Sequence, residues 1–315
     1  MSASQVAFVF PGQGAQTVGM GRALAETWPE ARAVFEAVDE TLGEKLSALI
    51  WDGPQEALTL TANAQPALMA TSLAAMAALR AEGVGIGAAR FVAGHSLGEY
   101  SALAAAGALS LADTARLLRL RGQAMQAAVP VGEGAMAAVL GLDVAAVEVL
   151  AASAAAATGG VCAAANDNDP AQVVVSGHAV AVAHVVENAR AAGAKRALPL
   201  PVSAPFHCAL MQPAAEAMKA ALAEVTIAAP AVPLVANMRA AAVSDPDEIR
   251  ALLVAQVTGR VRWRESVAWM AAAGVTAFWE IGAGKALSGM VRRIAPEAAT
   301  LSVGTPEEVR AAAAA

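Results

Sequence analysis

Cysteine is scarce in this 315-residue sequence: the chain holds two, Cys162 and Cys208, alongside four histidines. Two cysteines cannot build a disulfide framework, and their spacing fits no zinc-ligand pattern, so neither a stapled secreted scaffold nor a metal module is expected. A reducing cytosol is the expected compartment. Charge is sparse as well, at 15% of residues, with a net value of -6 at neutral pH. A nucleic-acid binder carries a basic excess, so that class is excluded. Long, strongly apolar runs are missing too. The longest uncharged stretch, Val149 to Ala165, is mostly alanine and is broken by Thr158, Gly159 and Gly160. It lacks the apolar weight of a membrane span of about 20 residues. The N-terminal MSASQVAFVFPGQGAQ has no basic n-region, and no export signal is expected from it. Aromatics make up only 4%, while 57% of residues are apolar and much of that is alanine, a composition suited to closely packed helices.

What the chain does contain is a succession of strand and helix patterns. Gln5 to Phe10 reads as a buried strand running into a glycine-rich turn, PGQG. Pro29 to Leu42 and Gln65 to Leu79 read as helices. Arg90 to Ala93 reads as a strand, Gly94 to Gly98 as a turn, and Leu97 to Ala106 as a helix. From about residue 131 to 200 the segments shorten into strand, helix, strand, strand, helix, strand, a βαββαβ order that predicts a ferredoxin-like α+β domain inserted in a larger one. Longer helices interleaved with strands resume after Pro201. The expected organisation is an α/β domain with a parallel sheet, made from residues 1–130 and 201–315, carrying a small domain at 131–200. The last residues, EEVRAAAAA, read as a fraying helix end.

The strongest chemical signal is Gly94-His95-Ser96-Leu97-Gly98, a GxSxG match where a strand meets a helix. Such an elbow holds a serine in a strained turn at the tip of the sheet, and the following helix directs free N–H groups at an oxyanion. A serine nucleophile needs a base, and the candidates are His95, His178, His184 and His207. His207 stands out because it lies in a proline-containing loop, SAPFH, between a strand and a helix. His178 and His184 fall on one predicted helix of the inserted domain, and His95 points away in the tight turn. Neither PGQG nor GAGKA at 282–286 has the spacing of a nucleotide-binding loop.

These motifs are similar, in order and across nearly the whole chain, to those of the malonyl-CoA:acyl carrier protein transacylases and related acyltransferase domains of fatty-acid and polyketide synthases. The resemblance rests on FPGQGAQ at 10–16, TANAQPAL at 61–68, GHSLGEYSAL at 94–103, RGQAMQ at 121–126, GAMAAVLGL at 134–142, QVVVSG at 172–177 and SAPFH at 203–207. It implies a hydrolase-like α/β fold with a ferredoxin-like insertion. It also implies Ser96 as the acylated nucleophile, His207 as base and acid, and the main-chain N–H groups of Gln13 and Leu97 as the oxyanion hole. On helical spacing alone, Arg116, Arg119 and Arg121 read as the solvated face of the helix Leu111 to Met125. The resemblance instead makes Arg121 the clamp for the malonyl carboxylate, with Gln65, Asn166, Gln256 and Phe206 at further pocket positions. The main-chain carbonyl near Gln256 then orients the histidine. The resemblance thereby implies that an acidic triad member is not required; the acids between Ser96 and His207, such as Asp167 and Asp169, fall in an expected loop of the inserted domain.

The implied reaction is a ping-pong transfer from malonyl-CoA to the phosphopantetheine thiol of acyl carrier protein, without metal or bound cofactor. A discrete chain of this length favours fatty-acid synthesis over a polyketide pathway. Two rivals remain at this stage: a serine thioesterase or esterase with the same Ser and His, and a non-catalytic module binding CoA or carrier protein.

Overall fold

The computed structural model describes residues 5–202 and 204–314. Ten strands are present among them: β1 (Val6–Phe10), β2 (Ala89–Gly94), β3 (Gly134–Leu140), β4 (Cys162–Asp169), β5 (Gln172–His178), β6 (Arg196–Pro199), β7 (Leu234–Ala236), β8 (Ala241–Val243), β9 (Ala277–Ile281) and β10 (Ala299–Val303). A six-stranded sheet has the order β10-β9-β1-β2-β7-β8 and is parallel except for β8. Along β1, Phe8 and Phe10 enter one apolar cluster while Ala7 and Val9 enter another, so both faces of the sheet are covered. That explains why this strand reads as a continuous apolar run rather than an alternation.

A second, antiparallel sheet has the order β4-β5-β3-β6. The helices Val144–Thr158 and Ala179–Asn188 pack on one face, over Ala137, Val139, Val173 and Val175. From the opposite face, Met136, Ala138, Ala165 and Val174 join the main core. The fold is therefore α/β, with a mostly parallel sheet and a separate antiparallel one.

Several segments depart from the sequence reading. The NDND run was expected to be a loop, but β4 continues to Asp169. The strand persists because Asp167 N–H bonds to the Val261 carbonyl at 2.9 Å and the buried carboxylates of Asp167 and Asp169 pair with Arg264 and Arg293. The helix expected at the C-terminal end is present as Pro306–Ala313 and buries Val309 and Ala312, while β10, which was not expected, is added to the sheet edge. His178 ends β5 rather than lying within a helix, and its Nδ1 accepts from the Val161 N–H at 2.8 Å. The predicted helix from Gln65 starts earlier, at Thr61, and runs to Ala81 despite Pro66. Proline removes the N–H that would bond the Ala62 carbonyl, and Arg119 Nη1 supplies a donor there at 2.8 Å.

The register positions the site. Phe10 at the end of β1 is level with Gly94 at the end of β2, and β7 lies on the other side of β2. The loops leaving the carboxyl ends of these three neighbours therefore meet, as open parallel sheets require of their ligand crevices.

Candidate active site

The turn after β2 is built for close approach. Ser96 has φ 53°, a left-handed value rarely adopted by a residue with a side chain. A Cβ on Gly94 would collide with the backbone of Gly98 and Glu99, and one on Gly98 would collide with the Phe10 carbonyl. Both glycines of the motif are thus required by packing. The helix Gly98–Ala105 begins at once, with its N-terminus at the serine. Across the turn, Gly12 rests against the His95 carbonyl, and His95 N–H bonds the Phe10 carbonyl at 3.0 Å. The PGQG loop and the serine turn are one unit.

Ser96 Oγ lies 2.7 Å from His207 Nε2. The other ring nitrogen, Nδ1, lies 2.8 Å from the Gln256 main-chain carbonyl. A carbonyl can only accept, so Nδ1 carries the hydrogen and Nε2 is free to take the serine proton. Burial, reinforced by the nearby Arg121 cation, pushes His207 down to about 3. Its ring is neutral at physiological pH, the form that can accept a proton.

Arg121 is not on a solvated face: it is 1% exposed. Gly122 makes this possible, since a side chain there would strike the backbone of Thr61 and Ala62 where the two helices cross. Arg121 Nη1 donates to Gln65 Oε1 at 2.8 Å, and Nη2 donates to Gln256 Oε1 at 2.9 Å and to Ser96 Oγ at 3.1 Å. Its Nε is buried and makes no well-formed hydrogen bond among the described residues, although the Tyr100 side chain lies close enough to act on the guanidinium. The guanidinium carbon sits 5.7 Å from the centroid of the Tyr100 ring. Gln65 Nε2 in turn donates to Thr61 Oγ1 at 3.2 Å, and that hydroxyl donates to Gln13 Oε1 at 2.7 Å. A hydrogen-bonded chain thus joins Arg121 to the PGQG loop.

Beneath the serine lies a polar cluster of which sequence reasoning named Gln256 and missed Asn237 and Glu99. Asn237, just past β7, accepts from the Ser96 N–H through Oδ1 at 2.9 Å and donates to the Gly94 carbonyl at 2.7 Å. Gln256 Nε2 donates to the Ser96 carbonyl at 3.0 Å and to Glu99 Oε2 at 2.8 Å. Burial pushes Glu99 up to about 7, against the hydrogen bonds it receives and the pull of Arg121. Two signals were available in the sequence: an acid in the otherwise apolar GEYSALAA helix, and an amide at the end of a parallel strand.

Of the residues singled out from the sequence, Ser96, His207, Arg121, Gln65 and Gln256 come together directly. Gln13 and Leu97 flank the serine turn, and among the described residues nothing accepts from the main-chain N–H of either. Phe206 is buried in the main core beside His207. Asn166 is different: it lies on β4, bridges to Val261, and none of its observed contacts reaches Ser96, His207 or Arg121. His95 does point away, to Asn168 at 2.8 Å and to the Trp263 ring. Ser203, the first residue of SAPFH, lies outside the described residues. Among the described residues, no group of three His, Cys, Asp or Glu side chains could hold a metal ion, and no helix is long and apolar enough to cross a membrane.

Residues 7–304 match the family model described as acyl transferase domain. The chain belongs to the acyl transferase domain family. This acyl transferase is 46% identical to the malonyl CoA-acyl carrier protein transacylase of Bacillus subtilis (strain 168) over 309 residues, covering 98% of this chain and 96% of that relative. Its structure is similar to that of an acyl-carrier-protein-S-malonyltransferase from Bartonella henselae, with a TM-score of 0.95, 58% identity and 98% coverage of both chains. A further similar structure, with a TM-score of 0.94 and 39% identity, covers 98% of this acyl transferase and 99% of its own chain. It is a malonyl-transacylase in complex with a type II polyketide synthase acyl-carrier protein.

Proposed function

We propose that this acyl transferase moves the malonyl group from malonyl-CoA to the phosphopantetheine thiol of acyl carrier protein through a malonyl-Ser96 intermediate. The observation that carries the reading is a buried guanidinium donating to the same oxygen, Ser96 Oγ, that faces His207. The Nε and Nη2 edge of Arg121, with Nε making no well-formed hydrogen bond among the described residues, suits a carboxylate held by two parallel bonds. A thioesterase for uncharged acyl chains has no use for that cation.

In this mechanism Ser96 attacks the thioester carbonyl and His207 Nε2 takes its proton. The N–H groups of Gln13 and Leu97 stabilise the oxyanion, and the proton passes to the departing CoA thiolate. The carrier-protein thiol, deprotonated by the same nitrogen, then attacks the malonyl ester and Ser96 is regenerated. His207 is neutral in the free enzyme, so labelling of Ser96 by a fluorophosphonate is expected to stay level as pH falls from about 8 to about 5. A drop with its midpoint near the ordinary histidine value of 6.5 that persists in Glu99→Gln, where the acid that titrates at about 7 is absent, would contradict this assignment.

We assign residues 1–130 and 201–315 to a hydrolase-like catalytic domain and 131–200 to a ferredoxin-like insertion. The strand order β4-β5-β3-β6 with two helices on one face supports the second assignment. Asn166 and Phe206 stay in the proposal as pocket residues on the strength of the motif resemblance.

An acidic carrier protein needs a basic landing place on this acidic chain. Three basic clusters are candidates: Lys195 with Arg196, Arg260 with Arg262 and Arg264, and Arg292 with Arg293. Arg260, Arg262 and Arg264 pair with Glu148, Glu265 and Asp167, Arg293 pairs with Asp169, and Arg292 is left as a single charge donating to Thr300 Oγ1. Lys195 and Arg196, at the start of β6, are exposed and have no acidic partner among the described residues. Reversing both charges is expected to slow malonyl transfer to carrier protein while Ser96 acylation by malonyl-CoA keeps its rate. Radiolabelled malonyl followed through the two half-reactions separates them, and equal loss in both would remove this docking site.

A further inference from the structure

Glu99 is a buried acid to which the transfer chemistry gives no part. It sits in the first turn of the helix Gly98–Ala105 and is 1% exposed, among small and apolar helix neighbours. A group serving only to fill that space would be apolar, because a buried carboxylate is costly unless hydrogen-bonded. A single oxygen makes both of its hydrogen bonds. Oε2 accepts from the Asn237 main-chain N–H at 3.1 Å and from Gln256 Nε2 at 2.8 Å.

Each partner touches the reacting pair. Asn237 holds the Ser96 N–H, and Gln256 holds His207 Nδ1 through its main chain and the Ser96 carbonyl through its side chain. They come from separate places, the turn after β7 and the helix Pro246–Thr258, so only tertiary contact fixes their spacing. An acceptor at this point also adds to the Ser96 carbonyl in fixing which way the Gln256 amide faces. It must present nitrogen to Glu99, which leaves its oxygen for Arg121 Nη2 at 2.9 Å. Without that acceptor the amide nitrogen is held by the Ser96 carbonyl at 3.0 Å and by Asn237 Oδ1 at 3.3 Å alone, and the link from Gln256 to the Asn237 main chain through Glu99 Oε2 is lost.

We propose that Glu99 is a positioning residue whose Oε2 ties Asn237 to Gln256 and thereby holds Ser96 and His207 at reacting distance. The role rests on Ser96 and His207 acting as nucleophile and base as described above. It is a matter of acceptor geometry, so a neutral amide of the same shape can replace the acid.

The test compares Glu99→Gln, Glu99→Asp and Glu99→Leu with wild type. The readouts are the rate of Ser96 phosphonylation by a fluorophosphonate, kcat and KM with malonyl-CoA, and thermal unfolding. Glu99→Gln, which keeps an oxygen in place, is expected to react within several-fold of wild type. Glu99→Leu is expected to lose about 100-fold in phosphonylation and in kcat with KM little changed, the scale of a misplaced reacting group. Glu99→Asp, whose carboxylate is drawn back by one methylene, falls between them. The order Gln above Asp supports positioning even if the leucine variant does not fold. The reverse order, or a folded leucine variant at wild-type rate, overturns it. A wild-type protein that takes the phosphonate but no malonyl group would sink the transfer reading and leave this ordering measurable.

Discussion

Arg121→Ala is expected to invert the acyl preference of the enzyme. The wild-type guanidinium is buried, charged and aimed at the serine oxygen, so a malonyl carboxylate replaces its present neutral acceptors with an opposite charge. Removing one partner of a buried, hydrogen-bonded charge pair costs about 2 to 5 kcal/mol, or roughly 30- to 5000-fold in kcat/KM for malonyl-CoA. Acetyl-CoA has no carboxylate to lose, and its acylation rate serves as the internal control. It is needed because Arg121 also supports Gln256 and Ser96 Oγ, so part of any loss is positional and falls on both thioesters. Steady-state acylation with each thioester reads the ratio. An unchanged ratio would return the arginine to a structural part and favour the thioesterase reading.

Ser96→Ala is expected to lower malonyl transfer by about a million-fold, the scale of deleting an activated serine nucleophile. The variant should remain folded: the hydroxyl's partners are His207 and Arg121, each of which keeps a second hydrogen bond, to the Gln256 carbonyl and to Gln65. Alanine faces the same left-handed backbone as the serine it replaces, so that strain of about 1 to 3 kcal/mol is unchanged. Transfer assayed with carrier protein, beside circular dichroism for folding, checks both statements. An alanine variant that still accepts malonyl covalently would point to a different nucleophile, the buried Cys208 being the nearest thiol in sequence to His207.

The features legible in the sequence are those whose cause is local. Gly94 is demanded by a collision within one turn, and the strand before and helix after are visible in composition; Gly98 is readable from the same motif, although the collision that demands it is with the distant Phe10 carbonyl. The βαββαβ order of residues 131–200 could likewise be read from segment lengths and strand-forming residues, and it recurs in the observed elements. Arg121 was ambiguous on helical spacing because its burial depends on Gly122 letting the helix Leu111–Ala127 approach Thr61 and Ala62. The Asn237, Gln256 and Glu99 cluster was illegible as a cluster, since its contacts join residues about 140 to 160 positions apart with no periodic signature. NDND misled for the opposite reason. Asp and Asn favour turns locally, and here pairing with β5, the Val261 carbonyl and the distant Arg264 and Arg293 hold them in a strand.

The most direct test of the central claim is intact-protein mass after brief mixing with malonyl-CoA, followed by phosphopantetheinylated acyl carrier protein, with Ser96→Ala in parallel. A malonyl adduct is expected on wild type alone, lost on adding carrier protein as the same mass appears on the carrier. An adduct that water discharges as fast as carrier protein does would contradict it and make the enzyme a thioesterase.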